Sequence, residues 1–146
     1  MKGAMPSIIV DSKQGRQFLV QEQLGSGGFA ECFRVIDSQT SCSYAAKVIC
    51  KQLIKDENIQ RKLRAEIHIH SQLNHPNIVK FESNFEDDNN LYIILELCPN
   101  NTLLELVQKR KVLSEKHAKR FVLDIVEALR YIHSQNVIHR DIKLGN

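Results

Sequence analysis

Eight consecutive residues, His139-Arg140-Asp141-Ile142-Lys143-Leu144-Gly145-Asn146, bring a carboxylate, an ammonium and a metal-capable amide onto one short stretch. Asp141 has Arg140 beside it, Lys143 two residues on and Asn146 five residues on. A lone His-Arg-Asp triplet reads as a solvated turn after a helix. With the lysine and the asparagine at these offsets, the stretch reads as a loop held by rigid elements, where such groupings do chemistry.

A second constellation lies far upstream. Lys47 sits in Tyr44-Ala45-Ala46-Lys47-Val48-Ile49, where period-two alternation places it on one strand face with Ala45 and Ile49. A lysine among small and aliphatic neighbours needs a counter-charge if it is to lose its water. Otherwise it snorkels to the edge. Counting along the following helical pattern from Ile59 gives Leu63, Glu66 and His70 on the face that should meet the sheet. Lys47 and Glu66 are therefore expected to form an inward-facing ion pair.

The glycines of Gly25-Ser26-Gly27-Gly28 lie between two segments that alternate like strands. Such a hairpin lets backbone N–H groups approach phosphate oxygens. A dinucleotide site would need a helix directly after the glycines, and Glu31-Cys32-Phe33-Arg34-Val35-Ile36 alternates like a strand instead. The Gly-Lys-Ser/Thr ending of a P-loop is absent as well. A nicotinamide oxidoreductase is thereby disfavoured.

These groups must be positioned by regular elements. Gln17-Leu24, Glu31-Ile36 and Ser43-Ile49 read as three antiparallel strands, preceded by a loose lead with a short strand-like run at Ile8-Val10. Asp56 to Leu73 reads as a helix, ended by Asn74-His75-Pro76. Ile78-Phe85 and Leu91-Leu95 read as two more strands around an acidic, Asn-rich turn. Thr102 and Glu105 have capping-box spacing before a short helix. A longer helix from Ser114 to about Gln135 carries Phe121, Val122, Ile125, Leu129 and Ile132 as its apolar face, with Ser114 as N-cap.

Composition narrows the classes. The 146 residues carry 20 Lys+Arg against 17 Asp+Glu, a net +3 that is too mild and too scattered for a nucleic-acid surface. No apolar run is long enough to cross a bilayer. Cys32, Cys42, Cys50 and Cys98 form no C-x-x-C pair, which favours reduced thiols in a cytosolic or nuclear compartment over zinc or secretion. His68, His70 and His75 read as surface or packing residues rather than a metal cluster, since residues two apart on a helix face different ways.

Taken in order, the glycine-rich turn, the strand lysine, the helix glutamate and the terminal polar loop resemble a eukaryotic protein kinase, and more narrowly a polo-like kinase. The likeness spans Phe18 to Asn146. The turn departs from the general pattern, with Ala30 for the third glycine and Cys32 for valine, and both departures look like the polo-like group. Leu95-Glu96-Leu97-Cys98 and Lys143-Leu144-Gly145-Asn146 are similar to the same group.

The resemblance implies an α+β fold. Its parts are a lead over 1–17, a small lobe of five antiparallel strands and one helix over 18–95, a hinge at 96–98, and the first helices of a large lobe over 99–146. It implies that Lys47 binds the α- and β-phosphates of ATP and pairs with Glu66. Gly25, Ser26, Gly27, Gly28, Phe29 and Ala30 would close over the nucleotide. Leu24, Cys32 and Ala45 would line the adenine pocket, with Leu95 as gatekeeper and Glu96 to Cys98 as hinge contacts.

By the same resemblance Asp141 accepts the proton of the attacking hydroxyl, Lys143 steadies the γ-phosphate and marks Ser/Thr protein substrates, and Asn146 holds Mg²⁺. No nucleic-acid or membrane partner is implied, and centrosomal or spindle-pole targeting by polo-box domains is. The Asp-Phe-Gly and Ala-Pro-Glu segments of the family are not among these 146 residues, so the resemblance implies a catalytic-domain fragment, inactive alone, with apolar surface uncovered on the long helix. The rival reading is a non-catalytic nucleotide- or protein-binding module built from a truncated kinase domain.

Overall fold

The computed structural model describes residues 5–100 and 102–145. The chain divides into two units, Met1–Gln72 with Phe81–Leu97, and Leu73–Lys80 with Cys98–Asn146.

The first unit is an antiparallel sheet of β1 (Ile8–Asp11), β2 (Arg16–Ser26), β3 (Ala30–Asp37), β4 (Ser43–Cys50), β5 (Phe81–Glu86) and β6 (Asn90–Glu96), with one helix, α1 (Glu57–Gln72). The spatial order is β1-β2-β3-β4-β6-β5. Six strands stand where five are expected. The sixth is β1, because the strand-like run in the lead pairs with β2 (Ile8 opposite Leu19, Asp11 opposite Arg16) and buries Ile9.

Alternation divides the sheet's two faces. Phe18, Val35, Ala46, Val48, Tyr92 and Ile94 point into the main core, where the Phe85 ring stacks between Phe18 and Tyr92. The alternate residues Ile49 and Ile93 point the other way and, with Ile54, form a smaller cluster against Leu63 and Ile67 of α1. The helix starts where Asp56 Oδ1 accepts the Asn58 N–H at 2.7 Å and the Ile59 N–H at 3.3 Å. Ile59, one of its expected apolar positions, is largely exposed, and no residue of α1 is fully buried.

One polar network is built into the sheet. Asp37 is 1% exposed, accepts the Gln39 and Thr40 N–H groups, and faces Arg16, whose guanidinium lies 2.8 Å away. Arg16 also reaches Glu82 and lies over the rings of Phe18 and Tyr44. Burial alone would raise the Asp37 carboxyl's affinity for a proton, but the backbone N–H groups and Arg16 outweigh it and hold its pKa below the usual carboxylate value.

The second unit holds α2 (Leu103–Arg110) and α3 (Glu115–Ser134). Thr102 caps α2 as its spacing predicts, its hydroxyl accepting the Glu105 N–H at 3.3 Å. Ser114 precedes α3 without capping it; its hydroxyl is 2.6 Å from Nδ1 of His117, the residue standing where a capping box has glutamate. At the other end Asn136 adopts φ +59° and Val137 N–H bonds the Ile132 carbonyl, which closes the helix. Phe121, Ile125, Leu129 and Ile132 do form the covered face, but Val122 is exposed beside Leu123 and Val126.

Residues Leu73–Lys80, placed by the sequence reading within the 18–95 lobe, group with the second unit, and Asn74, His75 and Asn77 meet α3. The Asn74 N–H donates to the Tyr131 hydroxyl at 2.9 Å, the His75 ring stacks on Tyr131, and the Asn77 amide donates to the Asp124 carbonyl. The strand begins at Phe81, three residues later than the apolar pattern from Ile78 suggests.

Candidate functional site

Strand register brings the upstream candidates together within the first unit. Gly25 of β2 lies opposite Cys32 of β3, Cys32 opposite Lys47 of β4, and Lys47 opposite Ile93 of β6. Ala45 lies opposite Leu95. Directly opposed residues share a face, and so do residues two apart, so Gly25, Cys32, Ala45, Lys47 and Leu95 all lie on the α1 side of the sheet. The period-two pattern alone could not show this, because it does not say which strands are neighbours.

The glycines close the β2–β3 hairpin, with the Gly27 N–H on the Ala30 carbonyl at 2.8 Å and Ser26 opposite Glu31. Gly25, Gly27 and Gly28 all avoid positive φ, so the backbone itself would accept side chains there. A Cβ would meet nothing within 4 Å at Gly25 or Gly28, and at Gly27 only the Ala30 oxygen at 3.8 Å. What these glycines preserve is open space beside backbone N–H groups. Leu24 and Phe29, expected at the nucleotide, are both about half exposed on this hairpin.

Lys47 Nζ lies 3.9 Å from Glu66 Oε1. The two charges meet, but Glu66 is 70% exposed, so the pair is at the rim and not inward-facing. The physical reason is that Leu63, Ile67 and His70 take the covered side of α1, with His70 edge-on to Phe81, and Glu66 falls at the margin of that stripe. Cys32 is half-buried beside Lys47. Burial pushes its thiol pKa up, and the lysine charge opposes that shift only in part.

The other candidates, Asp141 and Lys143, lie in the second unit. Asp141 Oδ2 and Lys143 Nζ are 2.7 Å apart, both well exposed. The Asp141 N–H donates to His139 Nδ1 at 3.2 Å, which requires that ring nitrogen to be unprotonated. Arg140 between them has φ +66°, a turn conformation unusual for a side-chain-bearing residue. The loop is anchored where the Leu144 carbonyl accepts the Leu104 N–H at 2.8 Å. Leu104 is in the first turn of α2, whose N–H groups have no partner inside the helix, so the anchor satisfies a donor that the helix leaves free. Sequence reasoning missed this anchor because the partners are 40 positions apart.

Glu96 closes β6, and the division between the two units falls between Leu97 and Cys98. Asn146, the expected metal ligand, lies outside the described residues. Among the described residues no group of three or more His, Cys, Asp or Glu could hold a metal ion.

A strand lysine paired to a helix glutamate and a glycine hairpin on the same sheet stand in an α+β unit, and an Asp-x-Lys loop follows the long helix of the other unit. The chain belongs to the protein kinase domain family, whose pattern residues 18–146 match. It is 48% identical over 141 residues to the cell cycle serine/threonine-protein kinase CDC5/MSD2 of Saccharomyces cerevisiae, covering 97% of this chain and 20% of that protein. It is 41% identical to the serine/threonine-protein kinase polo of Drosophila melanogaster over 97% of this chain and 25% of that protein. With mouse serine/threonine-protein kinase PLK2 it shares 38% identity over 95% of this chain and 20% of that protein. The chain spans a quarter or less of the length of these curated relatives. No helix among the described residues is long and apolar enough to cross a membrane.

Proposed function

We propose that this chain supplies the nucleotide side and the catalytic loop of a polo-like serine/threonine protein kinase, which transfers the γ-phosphoryl group of ATP to a protein hydroxyl. The observation that carries the reading is Lys47, in register with Cys32 and Gly25 on one sheet face and 3.9 Å from Glu66. Lys47 holds the α- and β-phosphates and Glu66 keeps its ammonium aimed. The Gly25–Ala30 hairpin covers the phosphates with backbone N–H groups, in the space where no Cβ stands. Ala45, Cys32, Leu24 and Leu95 hold the adenine, and the backbone from Glu96 to Cys98 reads its edge.

In the second unit Asp141 takes the proton of the Ser or Thr hydroxyl as its oxygen bonds to the γ-phosphorus and the bond to the ADP oxygen breaks. Lys143, already 2.7 Å from Asp141, stabilises the charge on the transferring group. Mg²⁺, when bound, would neutralise phosphate charge, and Asn146 is its expected ligand. Among the described residues no group of three or more His, Cys, Asp or Glu could hold the ion by itself.

The test is transfer from γ-labelled ATP to a Ser/Thr protein substrate by the whole protein that contains this chain. Asp141→Asn should lower turnover by roughly 10²–10⁴ without abolishing nucleotide binding, and Lys47→Met should weaken nucleotide binding. Binding of an ATP analogue without any transfer would favour the binding-module reading. Turnover insensitive to Asp141 would remove the assignment of the base.

A further inference from the structure

The pairing of β2 with β3 slips twice on the way to the glycine hairpin. Val20 lies opposite Val35, Gln23 opposite Phe33 and Gly25 opposite Cys32, so β2 takes five steps where β3 takes three. Extra residues in one strand bend it and increase its twist. The path of Leu24 and of the hairpin that follows is therefore set by this double bulge. In the first slip Gln21 and Glu22 stand together opposite Arg34.

Arg34 is on the nucleotide face, two residues from Cys32 and opposite Ala45 of β4. Its guanidinium spans three strands. From β3, Nη1 donates to Oε1 of Glu22 on β2 at 3.4 Å, and Nη2 donates to Oγ of Ser43 on β4 at 3.3 Å. Nε is enclosed, with no acceptor among the described residues. The Arg34 and Glu22 side chains are 40% and 59% exposed, so an ion pair this long adds little to folding, and the enclosed N–H without an acceptor opposes it. What the arrangement supplies is position. A carboxylate on the bulge is tied to the strand that carries Cys32 and, through the same guanidinium, to the strand that carries Lys47.

We propose that Arg34 is a positioning residue for nucleotide binding, which by holding Glu22 fixes the double bulge of β2 and with it the height of Leu24 and the Gly25–Ala30 hairpin over the nucleotide. This rests on the reading above that ATP lies on this face. Arg34 acts through Glu22, not as a phosphate ligand.

The experiment is a charge-swap cycle in the whole protein that contains this chain. Arg34→Glu sets two carboxylates against each other and Glu22→Arg sets two cations, so each single variant should raise the KM for ATP about fivefold with kcat retained. The double variant has opposite charges again and should return to within about twofold of the parent. Without nucleotide, hydrogen exchange over peptides covering Leu24–Ala30 should rise in both single variants and fall back in the double one, while urea unfolding stays close to the parent's. Tighter ATP binding by Glu22→Arg, or a loss in Arg34→Glu that the double variant does not recover, would make Arg34 a direct phosphate contact and overturn the proposal. Unchanged exchange in the single variants, or a loss of stability that matches the loss of affinity, would overturn it as well. A parent that binds no ATP analogue would instead refute the nucleotide reading, and the exchange measurement would then decide separately whether Arg34 holds the bulge.

Discussion

Lys47 and Glu66 meet at 3.9 Å across the gap between β4 and α1, with the lysine about one-third exposed and the glutamate mostly in water. An ion pair in that setting contributes at most about 1 kcal/mol to folding. Its geometry is useful to a ligand rather than to the fold. Glu66→Gln and Lys47→Met should thus shift urea unfolding by less than about 1 kcal/mol. A lost charge-assisted bond of about 1.5–3 kcal/mol should weaken ATP-analogue binding by Lys47→Met roughly tenfold to hundredfold. A large loss of stability with intact binding would contradict this division.

The glycine hairpin offers a sharper separation of fold from function. Because a Cβ at Gly25 or Gly28 meets nothing within 4 Å and neither glycine has positive φ, Gly25→Val and Gly28→Val should leave unfolding unchanged. Isothermal titration should show both variants binding an ATP analogue more weakly than the parent, since the new side chains occupy the space beside the N–H groups. Equal affinity would mean that no phosphate approaches there.

Asp37 gives the sheet an acid-sensitive element. Its folded pKa lies below the unfolded value of about 3.9, so its contribution is fully present above that value and is lost as pH falls through the folded one. Asp37→Asn should cost about 2–3 kcal/mol at pH 7, and the gap between parent and variant should shrink as the buffer is taken below about pH 4. Denaturation at several pH values reads the gap directly.

Cys32 should be a slow nucleophile. Its thiol is pushed above the ordinary value by burial, whereas Cys42 is exposed. Timed alkylation with iodoacetamide at pH 8, followed by peptide mass spectrometry, should show Cys42 labelled before Cys32. An ATP analogue should slow Cys32 further if the nucleotide lies on the face it shares with Lys47.

Tyr131 ties Leu73–Lys80 to α3 through one hydroxyl and one ring stack. Tyr131→Phe keeps the stack on His75 and removes the acceptor of the Asn74 N–H, for a cost of about 1 kcal/mol and faster hydrogen exchange at Asn74. Tyr131→Ala should cost more, because the stack goes too. Identical behaviour of the two variants would assign no role to the ring.

The elements themselves were written locally. Alternation marks β2, β3, β4 and β6, Asp56 and Thr102 mark helix starts, and the order of glycine turn, lysine, glutamate and Asp-x-Lys loop identifies the family. Those patterns have periods of two and 3.6 residues, so they are readable in any short window. Pairing is not local. Nothing near Ile8 says that it will meet Leu19, nothing near Asn74 that it will meet Tyr131, and nothing near Leu144 that its carbonyl will cap a donor on α2. Glu66 illustrates the limit most clearly. Helical counting put it on the inner face, and only the packing of Leu63, Ile67 and His70 against the sheet decided that it stands at the rim, where it can still reach Lys47. A helix period fixes which residues share a stripe, but the rotation of that stripe against the sheet is set by the volumes that pack beneath it.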